Sequence, residues 1–362
     1  MKLSELQITN LRNITSARLI FNPNMNVISG VNGSGKTSFL EALYLLGCGH
    51  SFRTRDVSSL ITHKKDALTV YAKADDGQRI SIQKSHDIPT LALLNGLPCT
   101  ARSELASFLP SHVFYQDIFQ LIDAGPTVRR ELLDWGLFHV EQTYHSLWNN
   151  YRRVLKQRNS LLKQKSSIQQ VFPWNSKLAE LAYQLDVYRS HYFQRLVVEF
   201  DKIIRQLTNV HCTLRYYKGW DKKNEGKSLE DILHSHWQSD SLRQYTHYGA
   251  HHADLLVVSK DYKVKHFLSR GQQKVVLFAL KFAQAKLLFK SCLFLIDDLA
   301  SELDDGHVQR ILDYCSTIPN QIFITARQND HHLLNQLHDN SVHYHIDNGM
   351  FSDTSCKITS VI

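Results

Sequence analysis

Along the first 112 residues apolar and polar positions mostly alternate. Leu6 and Ile8 stand among polar neighbours, as do Leu68, Val70 and Ala72, and then Ile80 and Ile82. A period of two places such residues on one face of a strand. Asp76-Gly77 and Asn95-Gly96 read as turns between them, because glycine takes the left-handed conformations that tight turns require. From about Ser34 to Leu46 the alternation breaks and the apolar residues take helical spacing.

From about Thr127 to Leu207 glycine almost disappears and the period becomes helical throughout. Tyr144, Trp148, Tyr151 and Leu155 form one stripe, which Leu162 extends. Such a stripe is the mark of a helix packed on other helices. Arg152, Arg153, Lys156, Arg158, Lys163 and Lys165 occupy much of the remainder and read as a solvated face. The stretch GWDKKNEGKSLED is a polar loop. Beyond residue 249 strand and helix patterns alternate. Leu255–Val258, Leu293–Ile296 and Gln321–Thr325 suit buried strands, and Gln272–Leu288 suits a helix. That rhythm predicts a mostly parallel sheet. The expected fold is therefore α/β, one mixed sheet with helices divided by an insertion. Residues 1–112 form its first half, 113–248 a mainly helical lobe, and 249–362 its second half.

Composition narrows the classes. An apolar content of 43% over 362 residues can bury a sizeable core, which excludes a disordered chain. The net charge of +8 favours an anionic partner such as nucleic acid. The six cysteines, Cys48, Cys99, Cys212, Cys292, Cys315 and Cys356, include no C-x-x-C pair. That argues against a zinc ribbon or a disulfide framework and fits a reducing cytosol. The histidine pairs, His251-His252 and His331-His332 among them, lack the helical spacing of a zinc site. The N-terminus has no apolar signal region, and no run reaches the ~18 apolar residues that read as a membrane span. The expectation is a cytoplasmic protein without a membrane partner.

Three motifs carry chemistry. The first is Gly30-Val31-Asn32-Gly33-Ser34-Gly35-Lys36-Thr37, between a β-branched run and a helix pattern. Its glycines let backbone N–H groups face phosphate oxygens, and the helix adds its positive N-terminal end. Lys36 would reach the β- and γ-phosphates and Thr37 would bind Mg²⁺, so ATP and Mg²⁺ are the expected cofactors. The second is LFLIDD, Leu293–Asp298, an apolar strand delivering two carboxylates at its C-terminal end. Asp297 is the expected metal-side acid and Asp298 the carboxylate that orients an attacking water. The third is FLSRGQQK, Phe267–Lys274, in which Ser269, Arg270, Gly271 and Gln272 open another helix. Ser269 is a good N-cap and Gly271 leaves N–H groups open. A second anion-binding helix start makes sense if it meets a phosphate bound by another subunit.

The order of these motifs, closed by Ser301-Glu302-Leu303-Asp304, resembles the ABC-type ATPase heads. Four further stretches, GHSFRT, AGPTVRRELLDWG, YGAHHADL and LIDDLASELDDGHVQRIL, make the chain similar to the RecF family of bacterial recombination proteins. The resemblance covers nearly the whole chain. It implies an ATP-dependent homodimer in which Ser269–Gln272 of each copy faces the other's nucleotide. It also implies binding to gapped or single-strand/double-strand DNA, and work with RecO and RecR to load RecA in repair and the SOS response. Gln116 would be the glutamine at the junction with the helical lobe. The chain departs from the family pattern at Gln116, Ala124 and Leu132, and Thr325 stands where many heads carry a switch histidine. Asp298 is one methylene shorter than the glutamate of transporter motors. Asp298 and Thr325 together point to a slow ATPase, expected to be DNA-stimulated and used as a switch. Other members of the wider class are alternatives: the motor subunit of an ABC transporter, or another SMC-like DNA-binding ATPase.

Overall fold

The computed structural model describes residues 1–222, 225–260, 262–328, 330, 333, 334 and 341–353. Cys356, the His331-His332 pair, and Lys223 and Asn224 of the polar loop lie outside these residues. The chain opens with β1 (Leu3–Leu11), β2 (Ile14–Ile20) and β3 (Met25–Gly30), which leads into α1 (Lys36–Cys48). Next come β4 (Ala67–Ala74), β5 (Arg79–Ser85), β6 (Leu91–Leu94), β7 (Leu97–Pro98), α2 (Arg102–Phe108) and β8 (Ser111–Phe114). A 3-10 turn at Gln116–Phe119 precedes α3 (Gln120–Asp123), α4 (Pro126–Val140), α5 (Tyr144–Lys163) and α6 (Ile168–Leu207). There follow β9 (Thr213–Tyr217), α7 (Leu229–Ser235), α8 (Trp237–Arg243), β10 (Asp254–Ser259), β11 (Tyr262–Lys263) and α9 (Arg270–Lys286). The last elements are β12 (Leu293–Ile296), α10 (Asp305–Thr317), β13 (Gln321–Arg327), β14 (Ser341–Asp347) and β15 (Met350–Asp353).

An antiparallel sheet with the order β2-β1-β4-β5-β6-β7 takes the alternating N-terminal strands. Leu6, Ile8, Val70, Ile80 and Ile82 all point into one core, where they meet Phe39, Leu40 and Leu43 of α1. The central sheet has the order β15-β14-β3-β13-β12-β8. It is parallel from β14 to β8, and only β15 runs against it. All four residues of β12 are buried, as a parallel strand covered on both faces requires. Their side chains divide by the pleat. Leu293 and Leu295 enter the core with α1, while Phe294 and Ile296 enter the core with α9 and the helical lobe. β8, which spans position 112, pairs with β12 and so belongs to this sheet.

Two sequence expectations need correction. The pattern assigns Leu255–Val258 to the parallel sheet. The structure makes it the middle strand of a separate antiparallel sheet, β11-β10-β9. A short apolar run signals burial and is silent about which strands become its neighbours. The second concerns Arg158, which the pattern counts with the solvated basic face of α5. It is fully buried. Its Nε donates to Asn175 Oδ1 at 2.7 Å and its Nη1 to Thr246 Oγ1 at 2.6 Å, with Asp240 Oδ2 at 2.9 Å. Arg158 lies two turns after Tyr151, so helical geometry carries it to the packed side with Tyr151 and Leu162. Arg152, Arg153, Lys156, Lys163 and Lys165 are exposed. Among the described residues no helix is long and apolar enough to cross a membrane.

Candidate functional site

β3 is buried along its whole length and delivers the chain to Gly30 at the C-terminal end of the central sheet. A Cβ at Gly30 would collide with the backbone oxygen of Ile346. Gly33 and Gly35 have φ of 80° and 121°, in the region that side chains disfavour. Gly35 then caps α1 without any side-chain hydrogen bond, and the first turn holds no acid. The opening N–H groups of this helix are therefore left for an anion. Lys36 curls back over the loop and donates to the carbonyls of Gly30 at 2.8 Å and Val31 at 2.9 Å. Asn13 braces the loop from β1–β2, donating to Ser34 O at 2.9 Å. Val31 and Asn32 are exposed at the loop tip.

The neighbouring strand brings the acids. The Thr37 hydroxyl donates to Asp297 Oδ2 at 3.0 Å. The Thr325 hydroxyl, on β13, donates to Asp297 Oδ1 at 2.6 Å and accepts the Asp298 N–H at 2.9 Å. Thr325 thus locks both acids in place. Burial pushes the Asp297 carboxyl above its ordinary value, and burial also lowers the Lys36 ammonium. Asp298 has a left-handed φ of 48° and its Oδ2 meets Arg327 Nη2 at 2.8 Å. Its Oδ1 is buried with no partner among the described residues. Lys274 supports the turn that follows, donating to the carbonyls of Asp298 at 3.1 Å, Leu299 at 3.2 Å and Ser301 at 2.6 Å.

One cleft is lined by Lys36, Thr37, Asp297, Asp298, Arg53 and Arg327, with the loop glycines. An adjoining hollow brings Gln116 to the same pair, Asp297 and Asp298. Ser269, Arg270, Gly271 and Gln272 line neither. Ser269 accepts the N–H of Gln272 at 3.3 Å, and the Gln272 side chain accepts the N–H of Ser269 at 3.0 Å. This is a reciprocal capping box at the start of α9. Arg270 pairs with Asp123 at 2.8 Å and lies over the Phe119 ring, 4.8 Å from its centroid. Gly271 packs so close to the Glu302 carbonyl that a Cβ would stand 2.5 Å from it. Ser269 and Arg270 are exposed. The residues singled out in the sequence thus fall into two groups. Residues 30–37, Gln116, Asp297 and Asp298 converge, and residues 269–272 present a separate helix start to solvent.

Sequence reasoning missed Asn13, Arg327 and Lys274. Lys274 offered a signal, since it lies one turn into α9 on the side of the packed residues. It also missed what holds GHSFRT. Ser51 donates to Glu41 Oε1 at 2.5 Å, and Arg53 approaches the same carboxylate at 3.4 Å. Arg12 joins it with two bonds, at 2.8 and 2.9 Å. Glu41 is fully buried in α1 and is balanced by these cations.

Comparison with known proteins follows the same lines. Residues 2–350 match the RecF/RecN/SMC N terminal domain family. The DNA replication and repair protein RecF of Shigella flexneri serotype 5b (strain 8401) is 33% identical over 361 residues, spanning 98% of this chain and 100% of that one. The protein of the same name from Salmonella arizonae is 34% identical over the same shares. A solved structure of the recombination mediator protein RecF with ATP in the RecFOR pathway superposes with a TM-score of 0.81, at 24% identity over 97% of each chain. An Smc head domain from Pyrococcus furiosus gives 0.61 at 17% identity, over 98% of this chain and 96% of that one. The family match and the shared fold of these structures together make the chain an ABC-type ATPase head.

Proposed function

This chain belongs to the RecF family of DNA replication and repair proteins, and from that premise we propose that it is an ATP-gated, DNA-binding recombination mediator. Residues 30–37 would hold the phosphates of ATP, with Lys36 swinging from the loop carbonyls onto the β- and γ-phosphates. The residues present fit a magnesium ion, because the Thr37 hydroxyl and the Asp297 carboxylate already meet. Both are the hard oxygen ligands this ion takes. A bound Mg²⁺ would supply charge neutralisation at those phosphates. Asp298, whose Oδ1 has no partner among the described residues, would orient an attacking water, and Gln116 lines the same hollow.

The observation that carries the dimeric reading is separation. The exposed start of α9, read as an anion-binding helix start, lines no part of its own copy's cleft. A second copy would bring that helix start to the γ-phosphate, so ATP would join two copies. Hydrolysis would part them, at a slow rate that suits a timer. DNA would bind through phosphate contacts, for which Arg152, Arg153 and Lys156 on the exposed face of α5 are candidates, as are Arg53, Arg55, Lys64 and Lys65. The same family premise supports gapped or single-strand/double-strand DNA as the substrate. It also supports RecO and RecR as partners, RecA loading and the SOS response as the setting, and the cytoplasm as the compartment.

Sedimentation mass tests the core of this reading. Without nucleotide the chain should run as a monomer, with ATP and Mg²⁺ as a dimer, and with gapped DNA as a heavier complex still. Ser269→Arg places a bulky cation where the partner's γ-phosphate must sit, so this variant should bind ATP and remain monomeric. A Ser269→Arg protein that dimerises with ATP sinks the sandwich.

A further inference from the structure

Lys260 and residues 262–270, which lead into the capping box of α9, form an unusual surface. Val264 is buried and anchors the segment. On either side of it, Tyr262 and Phe267 turn outward and remain 64% and 50% exposed. Their rings are parallel to within 5°, with centroids 5.8 Å apart, inside the range of offset-stacked pairs. Lys260 Nζ lies 5.7 Å from the Phe267 centroid. The segment carries Lys260, Lys263, Lys265 and Arg270 against the single acid Asp261. Lys265 and Arg270 are engaged by Asp123. Lys260 and Lys263 are exposed.

Scattered exposed apolar residues need no explanation, but two parallel aromatic rings held in water beside cations do. A buried role would hide the rings, and a merely solvated turn would not carry them. Flat π surfaces flanked by lysines match one kind of ligand, an unpaired base with its phosphate. Duplex DNA offers phosphates and groove edges but no free base face, because its bases are stacked on one another.

We propose that the Tyr262–Phe267 surface, with Lys260 and Lys263, is a stacking platform for the bases of single-stranded nucleic acid. The proposal rests on the DNA-binding reading above and deepens it. It gives the chain a way to tell a gap or single-strand junction from continuous duplex. It also places the single strand beside Ser269, so base binding and the ATP-dependent contact would share one stretch of chain.

The test measures fluorescence anisotropy with the full chain, ATP and Mg²⁺, on a labelled oligothymidylate and on a blunt duplex. Stacking on one aromatic side chain supports a loss of about tenfold on truncation. The double variant Tyr262→Ala/Phe267→Ala should lose at least that on the single strand and keep its duplex affinity. Tyr262→Phe keeps the ring and should bind as the unaltered chain does. Undiminished oligothymidylate binding by the double variant overturns the platform. An equal loss on both probes, accompanied by loss of the ATP-dependent dimer mass, also overturns it and assigns the rings to the contact between copies. If the unaltered chain binds neither probe, the DNA-binding reading itself fails. Loss confined to the single-strand probe supports both.

Discussion

Two of the charge clusters among the described residues are completed to different degrees. In the helical lobe Arg189 is fully buried. Its Nη2 donates to Asp134 Oδ1 at 2.8 Å, its Nε to the Tyr144 hydroxyl at 2.9 Å, and its Nη1 to the Ala250 carbonyl at 2.7 Å. Tyr144 in turn donates to Asp134 at 2.5 Å. All three guanidinium nitrogens have acceptors, and the cluster joins α4, α5 and α6 to the turn before β10. At the end of the central sheet the arrangement stays open. Asp298 Oδ1 and Ser34 Oγ are buried without partners among the described residues. Lys36 holds only loop carbonyls that a phosphate could replace. A closed network gives one arrangement of packed elements. An open one keeps polar atoms available at the cost of stability, which is where ligand chemistry belongs.

The contrast predicts opposite responses to substitution. Arg189→Leu removes the cation of the closed cluster and leaves the Asp134 carboxylate without its counter-charge, though still bonded by the Tyr144 hydroxyl. Breaking a buried ion pair by removing one partner costs about 3–5 kcal/mol, and the partial exposure of Asp134 favours the lower end. Urea unfolding should record that loss. ATP binding, measured well below the unfolding transition, should persist. A loss under about 1 kcal/mol, the range of exposed pairs, would mean the cluster contributes no more than a surface bridge and would erase the contrast.

Asp298→Asn probes the open cluster. It removes the charge that would orient water but little that holds the fold, since Oδ1 has no partner among the described residues and Arg327 is largely exposed. Turnover should fall about a hundredfold or more, the usual contribution of a positioned base. The unfolding midpoint should barely move, and the ATP-bound dimer should accumulate. Steady-state hydrolysis read beside sedimentation mass checks both halves. Normal turnover in this variant removes Asp298 from the chemistry.

The open cluster was the more legible of the two in the sequence, for a physical reason. Its parts sit where the chain turns from strand to helix or ends a strand, so local spacing announces them. Leu293–Ile296 reads as a buried strand and is one, and the two acids follow directly. The helix expected from about Ser34 to Leu46 runs from Lys36 to Cys48. Glycine at the cap hides the start, because no side chain marks it. The closed clusters depend on partners far along the chain. Asp240, which holds Arg158, and Ala250, which holds Arg189, lie beyond α6, and no local period connects them. The same limit placed Leu255–Val258 in the wrong sheet, because hydrophobicity reports burial and pairing is decided by the fold. Thr325 shows a subtler case. The sequence marks it as a missing histidine, whereas the structure gives it a positive task, holding Asp297 and Asp298 together.

The smallest effect follows from Asp297 and separates the two clusters by pH. Burial raises its carboxyl above the ordinary value. The hydroxyls of Thr325 and Thr37 and the charge of Lys36 oppose the rise, and neighbouring Asp298 adds to it. Without nucleotide, the folded chain therefore binds a proton at Asp297 more readily than the unfolded chain does. Stability from this group is fully present below the ordinary carboxylate pKa and is lost as pH rises through the raised one. Magnesium needs the deprotonated form, so its binding should release a proton and weaken as pH falls through the same window. Asp297→Asn mimics the protonated acid and should flatten both responses. The comparison is made by urea unfolding of both proteins across mildly acidic pH, with Mg²⁺-ATP affinity measured alongside. The stability of the unaltered chain relative to Asp297→Asn should decline as pH rises, while its Mg²⁺-ATP affinity increases. A relative stability that climbs with pH would mean that Asp297 is stabilised as a carboxylate even without the ion. The end of the sheet would then be a closed cluster like that of Arg189, and the distinction between the two would be lost.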